Sequence, residues 1–201
     1  MNLFLIRHGI AVDRGLYAQD EARPLTDKGQ RRTQAVAHRL HQLGLTFDLI
    51  LSSPLVRAQQ TAAILHQASL SPRLGLSNDL APEGRLEDWL GWLAQWRQDQ
   101  KAQNQGSPSL AIVGHEPNLG EWASQLLWGS RPGPSGLSGE RVEGGDRLTL
   151  KKAGLIGLRL PQHFVEGSGE SSGENPGESL LAPSPLGRSQ LFWLTPPRYL
   201  L

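Results

Sequence analysis

Leu3-Phe4-Leu5-Ile6-Arg7-His8-Gly9-Ile10-Ala11-Val12, residues 3–12, decides how the rest of the chain is read. The apolar run from Leu3 to Ile6 suits a strand buried on both faces. It stops abruptly at a cation, an imidazole and a glycine. Such an end either turns out into water or delivers a reactive histidine to a pocket. Two other apolar runs end alike. Asp48 to Ser52 leads into Ser53-Pro54-Leu55-Val56-Arg57, and Leu110 to Val113 leads into Gly114-His115-Glu116-Pro117.

Helical signals separate these runs. Thr26 caps a predicted helix to about Leu43, with Gly44 as its stop and Val36, Leu40 and Leu43 at helical spacing. Ser53-Pro54 reads as an N-cap with proline at the first helical position, opening a helix to about Gln67. Residues 84–100 place Trp89, Trp92, Leu93 and Trp96 on one helical face, read as core. Pro117-Asn118 opens a last helix that ends near Gly129. Residues 8–26 read as a long loop and 71–76 as a weaker extended piece. The alternation predicts an α/β fold, a three-layer α/β/α sandwich with a mainly parallel central sheet.

The chain of 201 residues suits one domain, 1–201. Its net charge of +1 gives no electrostatic reason to expect nucleic acid or an anionic membrane as a partner. It contains no cysteine, which excludes disulfides, thiolate metal sites and a cysteine nucleophile. The charge at Arg7 interrupts the first apolar run, so neither a signal peptide nor a membrane span is read, and a cytoplasmic location is expected. Beyond residue 128 the composition changes. Residues 129–145 are rich in Gly, Ser and Pro; 147–160 and 189–195 read as two paired strands. Between them, about 161–188 is a Gly/Ser/Glu/Pro tract read as a flexible insertion.

In open α/β sheets ligands sit beyond the carboxyl ends of the strands. Three segments should converge there, bringing His8, His115, Arg7 and Arg57, with Glu116 their one carboxylate. Two of the segments also open helices, whose N-termini favour anions. Arginine grips phosphate through a two-pronged contact. The implied ligand is a phosphoryl group. A neutral imidazole can accept it covalently, and flanking arginines would hold His8 neutral and stabilise the transferring charge. Gly9 would let the backbone approach the phosphate. His38, His41, His66 and His163 read as structural or exposed.

These residues resemble the histidine phosphatase (phosphoglycerate-mutase-like) superfamily: Leu5-Ile6-Arg7-His8-Gly9, Arg57 within residues 52–62, and Val113-Gly114-His115. Arg23-Pro24-Leu25-Thr26-Asp27-Lys28-Gly29 and Leu80-Ala81-Pro82-Glu83-Gly84 narrow the resemblance to SixA-type phosphohistidine phosphatases. It covers about residues 1–128, with a weaker echo in Leu194-Thr195-Pro196-Pro197. The resemblance implies His8 as nucleophile, a phosphate pocket of Arg7, Arg57 and His115, Arg23 near its mouth, and no metal or other cofactor. It also implies a phosphorylated substrate, on this reading a phosphohistidine-bearing signalling protein. Many members of the superfamily use a carboxylic acid to protonate the leaving group. Asp79 and Glu83 lie in the corresponding segment, but neither matches the pattern of that acid. Imidazole leaves more readily than an alkoxide, so this favours phosphohistidine. A small-molecule phosphomonoesterase, which would need Glu83 or Asp79 as a working acid, and a non-catalytic phosphate-binding regulator remain the alternatives.

Overall fold

The computed structural model describes residues 1–102, 107–129, 148–161 and 184–200. Six strands form one sheet: β1 (Asn2–Arg7), β2 (Leu49–Ser52), β3 (Leu74–Leu76), β4 (Ser109–Gly114), β5 (Leu155–Arg159) and β6 (Gln190–Thr195). Their order is β3-β2-β4-β1-β5-β6. The pairings among β3, β2, β4 and β1 are parallel, whereas β5 pairs antiparallel with both β1 and β6. The sheet is therefore mixed, with the expected parallel part at its centre.

Alternation along β1 explains the layers. Leu3 and Leu5 face one core, with Trp89 and Leu93 of α3 (Leu86–Ala102) and Trp122 and Leu126 of α4 (Asn118–Trp128). Phe4 and Ile6 face the other, with Val36 and Leu40 of α1 (Asp27–Gln42) and Ala58, Ala62 and Leu65 of α2 (Val56–Gln67). One strand feeds two hydrophobic layers, which is why it reads as a continuous apolar run. Each such side chain contributes about 1.5–3 kcal/mol by leaving water. The tryptophan face is core as expected: Trp89 is fully buried and lies 5.5 Å from Trp122, ring to ring.

Thr26 caps α1 as predicted, its hydroxyl accepting from the Gly29 amide at 3.0 Å. The expected strand over 147–160 is shorter. Only Leu155–Arg159 pairs, and residues 148–154 form a loop that turns toward the carboxyl end of β1. Most of the tract read as an insertion, residues 162–183, and most of the 129–145 stretch, residues 130–145, lie outside the described residues.

The register sets the site. Arg7 of β1 pairs with Gly114 of β4, and Ser52 of β2 with Val113. The three strands thus end at one level, and His8, Ser53 and His115 emerge side by side.

Candidate active site

His8 sits one residue past β1 and is 7% exposed. Its backbone is held on two sides. The His8 amide donates to the Gly114 carbonyl at 3.1 Å, and its carbonyl accepts from Ala153 at 3.2 Å. In the ring, Nδ1 lies 2.7 Å from the Gly9 carbonyl. A carbonyl can only accept, so Nδ1 carries the hydrogen and Nε2 keeps the lone pair. Burial first, then the neighbouring His115, Arg57 and Arg7, push the His8 pKa down to about 3, against the opposing bond to the Gly9 carbonyl. The ring is a neutral imidazole with a free Nε2.

His115 faces it, the two rings 5.1 Å apart. Its Nε2 is hydrogen-bonded to Ser53 Oγ at 2.8 Å, while its Nδ1 is buried without a partner. Burial and then the Arg57 charge lower its pKa to about 4, with Asp20 pulling the other way. Here the structure corrects the role expected of Ser53-Pro54. Helix α2 starts at Val56, with Leu55 at the N-cap and no side-chain cap. The Ser53 hydroxyl instead joins His115 and accepts from the Leu55 amide at 3.3 Å. A serine at the end of β2 reaches the end of β4 because the two strands are neighbours in the sheet.

Arg57 lies in the first turn of α2 as expected and is 2% exposed. A short chain of hydrogen bonds ties it to His8. The Gly9 amide donates to Thr61 Oγ1 at 3.0 Å, and the Thr61 hydroxyl donates to the Arg57 carbonyl at 2.8 Å. Threonine back-bonding to the carbonyl four residues earlier is a local habit of helices, so the i to i+4 spacing from Arg57 was a usable signal. Arg7 donates from Nη1 to the Leu150 carbonyl at 2.7 Å, which pins the 148–154 loop against the site. The Nε atoms of both Arg7 and Arg57 are buried with no partner. Buried donors left unpaired cost free energy, and here they cluster around two histidines.

Sequence reasoning missed Asp20. Its carboxylate takes Arg57 Nη2 at 2.8 Å on one oxygen and Arg23 Nε at 2.8 Å on the other, while its carbonyl accepts from Arg57 Nη1 at 2.7 Å. Exposed Arg14 adds a contact at 3.3 Å. Burial opposes the charge, yet the Arg57 and Arg23 guanidiniums hold the Asp20 carboxyl below the usual range. Arg23 is thus joined to Arg57 through a shared acid, and its Nη1 also donates to the Val12 carbonyl at 2.6 Å. Nothing in the sequence separated Asp20 from its neighbour Glu21.

Gly9 has a packing role that the sequence did not suggest. A Cβ there would lie 2.5 Å from Thr33 Oγ1 and 3.2 Å from Leu25 Cδ2. The missing side chain lets the strand end pack against α1. Asp79 and Glu83 are not drawn into the cluster. Asp79 Oδ2 accepts from Ser77 Oγ at 3.1 Å, and exposed Glu83 makes no hydrogen bond or ion pair among the described residues. Their loop is fastened by Asn118, which donates to the carbonyls of Pro82 and Gly84. His38 and His41 are exposed, and His66 Nδ1 bonds the Ser71 carbonyl at 2.8 Å. His163 lies outside the described residues. No helix among the described residues is long and apolar enough to cross a membrane.

Two buried imidazoles, the buried Arg57 and the half-buried Arg7 gather where β1, β2 and β4 end, an arrangement suited to a phosphoryl group. The family model of the histidine phosphatase superfamily (branch 1) matches residues 3–108, and the chain belongs to that superfamily of hydrolases. An uncharacterized protein of Picosynechococcus sp. is 43% identical over 201 residues, spanning 100% of this chain and 99% of that one. Among solved structures, the protein histidine phosphatase SixA complexed with tungstate superposes with a TM-score of 0.67 at 19% identity, covering 100% of both chains. The alpha-ribazole phosphatase from Shigella flexneri reaches 0.51 at 20% identity, over 81% of this chain and 92% of that chain. At these identities the likeness to both structures is one of fold.

Proposed function

We propose that the protein removes phosphoryl groups through a phospho-His8 intermediate and that its substrate is a phosphohistidine in a protein. His8 Nε2 attacks phosphorus in line with the leaving group, forming the N–P bond as the substrate bond breaks. Arg7 and Arg57 stabilise the charge on the non-bridging oxygens, and His115 faces the transferring group from the opposite ring position. Water then cleaves the N–P bond of His8, releasing inorganic phosphate and restoring the neutral imidazole.

The choice of phosphohistidine rests on one observation. Among the described residues, neither Asp79 nor Glu83 is held toward His8, and the two carboxylates bordering the cluster are engaged elsewhere, Asp20 by Arg57 and Arg23 and Glu116 by the Leu150 amide, so none of these is fixed to protonate an alkoxide. Such an acid typically contributes 10²–10⁴-fold to a poor leaving group, and an imidazole leaves without that help. The fold likeness to the SixA protein histidine phosphatase is in keeping with this substrate, although alpha-ribazole phosphatase shares the fold.

The test pairs a phosphohistidine protein with a phosphoserine peptide and a small phosphomonoester. We expect kcat/KM for phosphohistidine to lead by about 10²-fold or more. Glu83→Gln and Asp79→Asn should leave that value within a few-fold. A phosphomonoester preference, lost in either variant, would overturn this choice of substrate and install a small-molecule phosphomonoesterase. Acid-free mass spectrometry that finds no phosphate on His8 during turnover would remove the intermediate.

A further inference from the structure

A cleft of about 390 Å³ adjoins the phosphoryl site and is lined by Ile10, Arg32, Lys151, Lys152, Pro196 and Pro197. Its walls come from segments that run directly into the catalytic cluster. Ile10 is two residues past His8. Lys151 and Lys152 lie between Leu150, whose carbonyl takes Arg7 Nη1, and Ala153, whose amide donates to the carbonyls of Arg7 and His8. Arg32 comes from α1, whose cap residue Thr26 donates its amide to the Ile10 carbonyl at 2.9 Å. The floor is apolar and the rim carries three cations.

Those cations are surplus to the phosphoryl pocket. None of Arg32, Lys151 and Lys152 has a carboxylate within ion-pair distance among the described residues. Arg32 Nε is buried without a partner. Burial and then Arg7, Arg23 and Arg57 lower the Lys152 pKa, with Asp13 opposing, so its ammonium lies within the field of the phosphate-binding arginines. The chain as a whole is nearly neutral, 20 basic against 19 acidic residues, so this excess is local. Crowding like charges beside a site costs free energy unless an anion relieves it.

We propose that this cleft is a second anion subsite, so that the substrate carries an anionic group on an apolar stem beside its phosphoryl group. The inference rests on the phosphatase reading above and adds a requirement to its substrate. In a phosphohistidine protein the second anion is an acidic side chain close to the phosphohistidine. In a small molecule it is a second phosphate or a carboxylate.

Binding of inert phosphonates tests the subsite without turnover. Alkylphosphonates of three to six carbons, with or without a terminal carboxylate, are titrated calorimetrically into the native protein and into Lys151→Gln/Lys152→Gln. Both lysines are exposed, so the double variant should fold. At the best chain length the carboxylate should tighten native binding about tenfold, the scale of one charge-assisted hydrogen bond. In the double variant that advantage should fall below about twofold. Equal binding of both series to the native protein overturns the subsite, and so does an advantage that survives in the double variant. Turnover of phosphohistidine peptides with flanking Glu or flanking Gln, beside a bisphosphate and a monophosphate, then separates the sources. If the carboxylate advantage holds but only the bisphosphate is hydrolysed, the subsite stands and the phosphohistidine reading falls.

Discussion

The two sides of His8 are built differently. On the inner side, His115, Ser53, Thr61 and Arg57 are all nearly inaccessible and held by strand register and the first turns of α2. On the outer side, Asp20, Arg23, Lys151 and Lys152 come from loops, and Asp20 and the lysines meet water. The inner side has one packed arrangement, which suits chemistry that tolerates little displacement. Around the buried Arg23, the outer side carries half-exposed Asp20 and exposed lysines, where the summed charge rather than any single exposed group would act on an approaching anion. Under the proposed function and subsite there is a division of labour, with turnover set inside and substrate choice outside.

Substitutions on the two sides should therefore differ in size and in kind. His8→Ala should lower turnover by about 10³-fold or more in a single-turnover assay, because the nucleophile itself is lost and His115, held through Nε2 by Ser53, stays in place across the pocket. Residual turnover near the native rate would move the chemistry elsewhere. Arg57→Ala should cost about 10²–10³-fold, the scale of one lost donor to a developing charge. If only KM moved, Arg57 would belong to recognition and the division would blur.

Thr61→Val probes positioning on the inner side. It leaves the Gly9 amide buried without a partner, a loss of about 1–3 kcal/mol, and thermal unfolding should shift by about 2–4 °C for each kcal/mol. It should also lower kcat by about tenfold or more with KM little changed, and Thr61→Ser should restore kcat. A fall in stability with native kcat would make Thr61 structural only.

On the outer side, Asp20→Asn removes the charge that Arg57 and Arg23 share. Inorganic phosphate should then inhibit several-fold more tightly and with a steeper salt dependence, while kcat changes less. Weaker inhibition would show that Asp20 orients Arg57 rather than competing with phosphate for it.

The gentlest signature is in pH. His8 and His115 are buried with pKa values lowered to about 3 and about 4. In the unfolded chain they titrate near 6.5. Between those values the unfolded state binds more protons, so this stability is present above about pH 6.5 and is lost as the pH falls toward 3–4. Denaturant titrations from pH 7 to 4 should show the midpoint decline. kcat/KM should show no inflection from His8 near 6.5, since the free protein holds that ring neutral well below it. An inflection there that disappears in His115→Asn would assign it to His115.

Much of this architecture is legible in the amino-acid sequence. Period and punctuation place β1, β2, β4 and the four helices, since apolar runs and caps are local signals. The strand-end rule then gathers Arg7, His8, Arg57 and His115, and all four meet. Asp20 and Ser53 are not legible as members of the site, and Thr61 is legible only through its i to i+4 spacing from Arg57, not through its bond to Gly9. Each acts on a residue at least 37 positions away in sequence or on a neighbouring strand, and composition carries no trace of such a partner. Gly9 stands out beside His8, but that its missing Cβ avoids Thr33 on α1 is visible only once the helix is packed against the strand end.

By itself, the sequence determined the kind of layers, which strand ends carry the candidate catalytic residues and the superfamily those residues resemble. These follow from periodicity and residue type, which are properties of short stretches. Only the tertiary structure decided that Ser53 holds His115, that Asp20 sits between Arg57 and Arg23, that His8 presents Nε2, and that Lys151 and Lys152 border a cleft beside it. Those depend on register and loop closure, where segments distant in the chain meet through packing that no local pattern records.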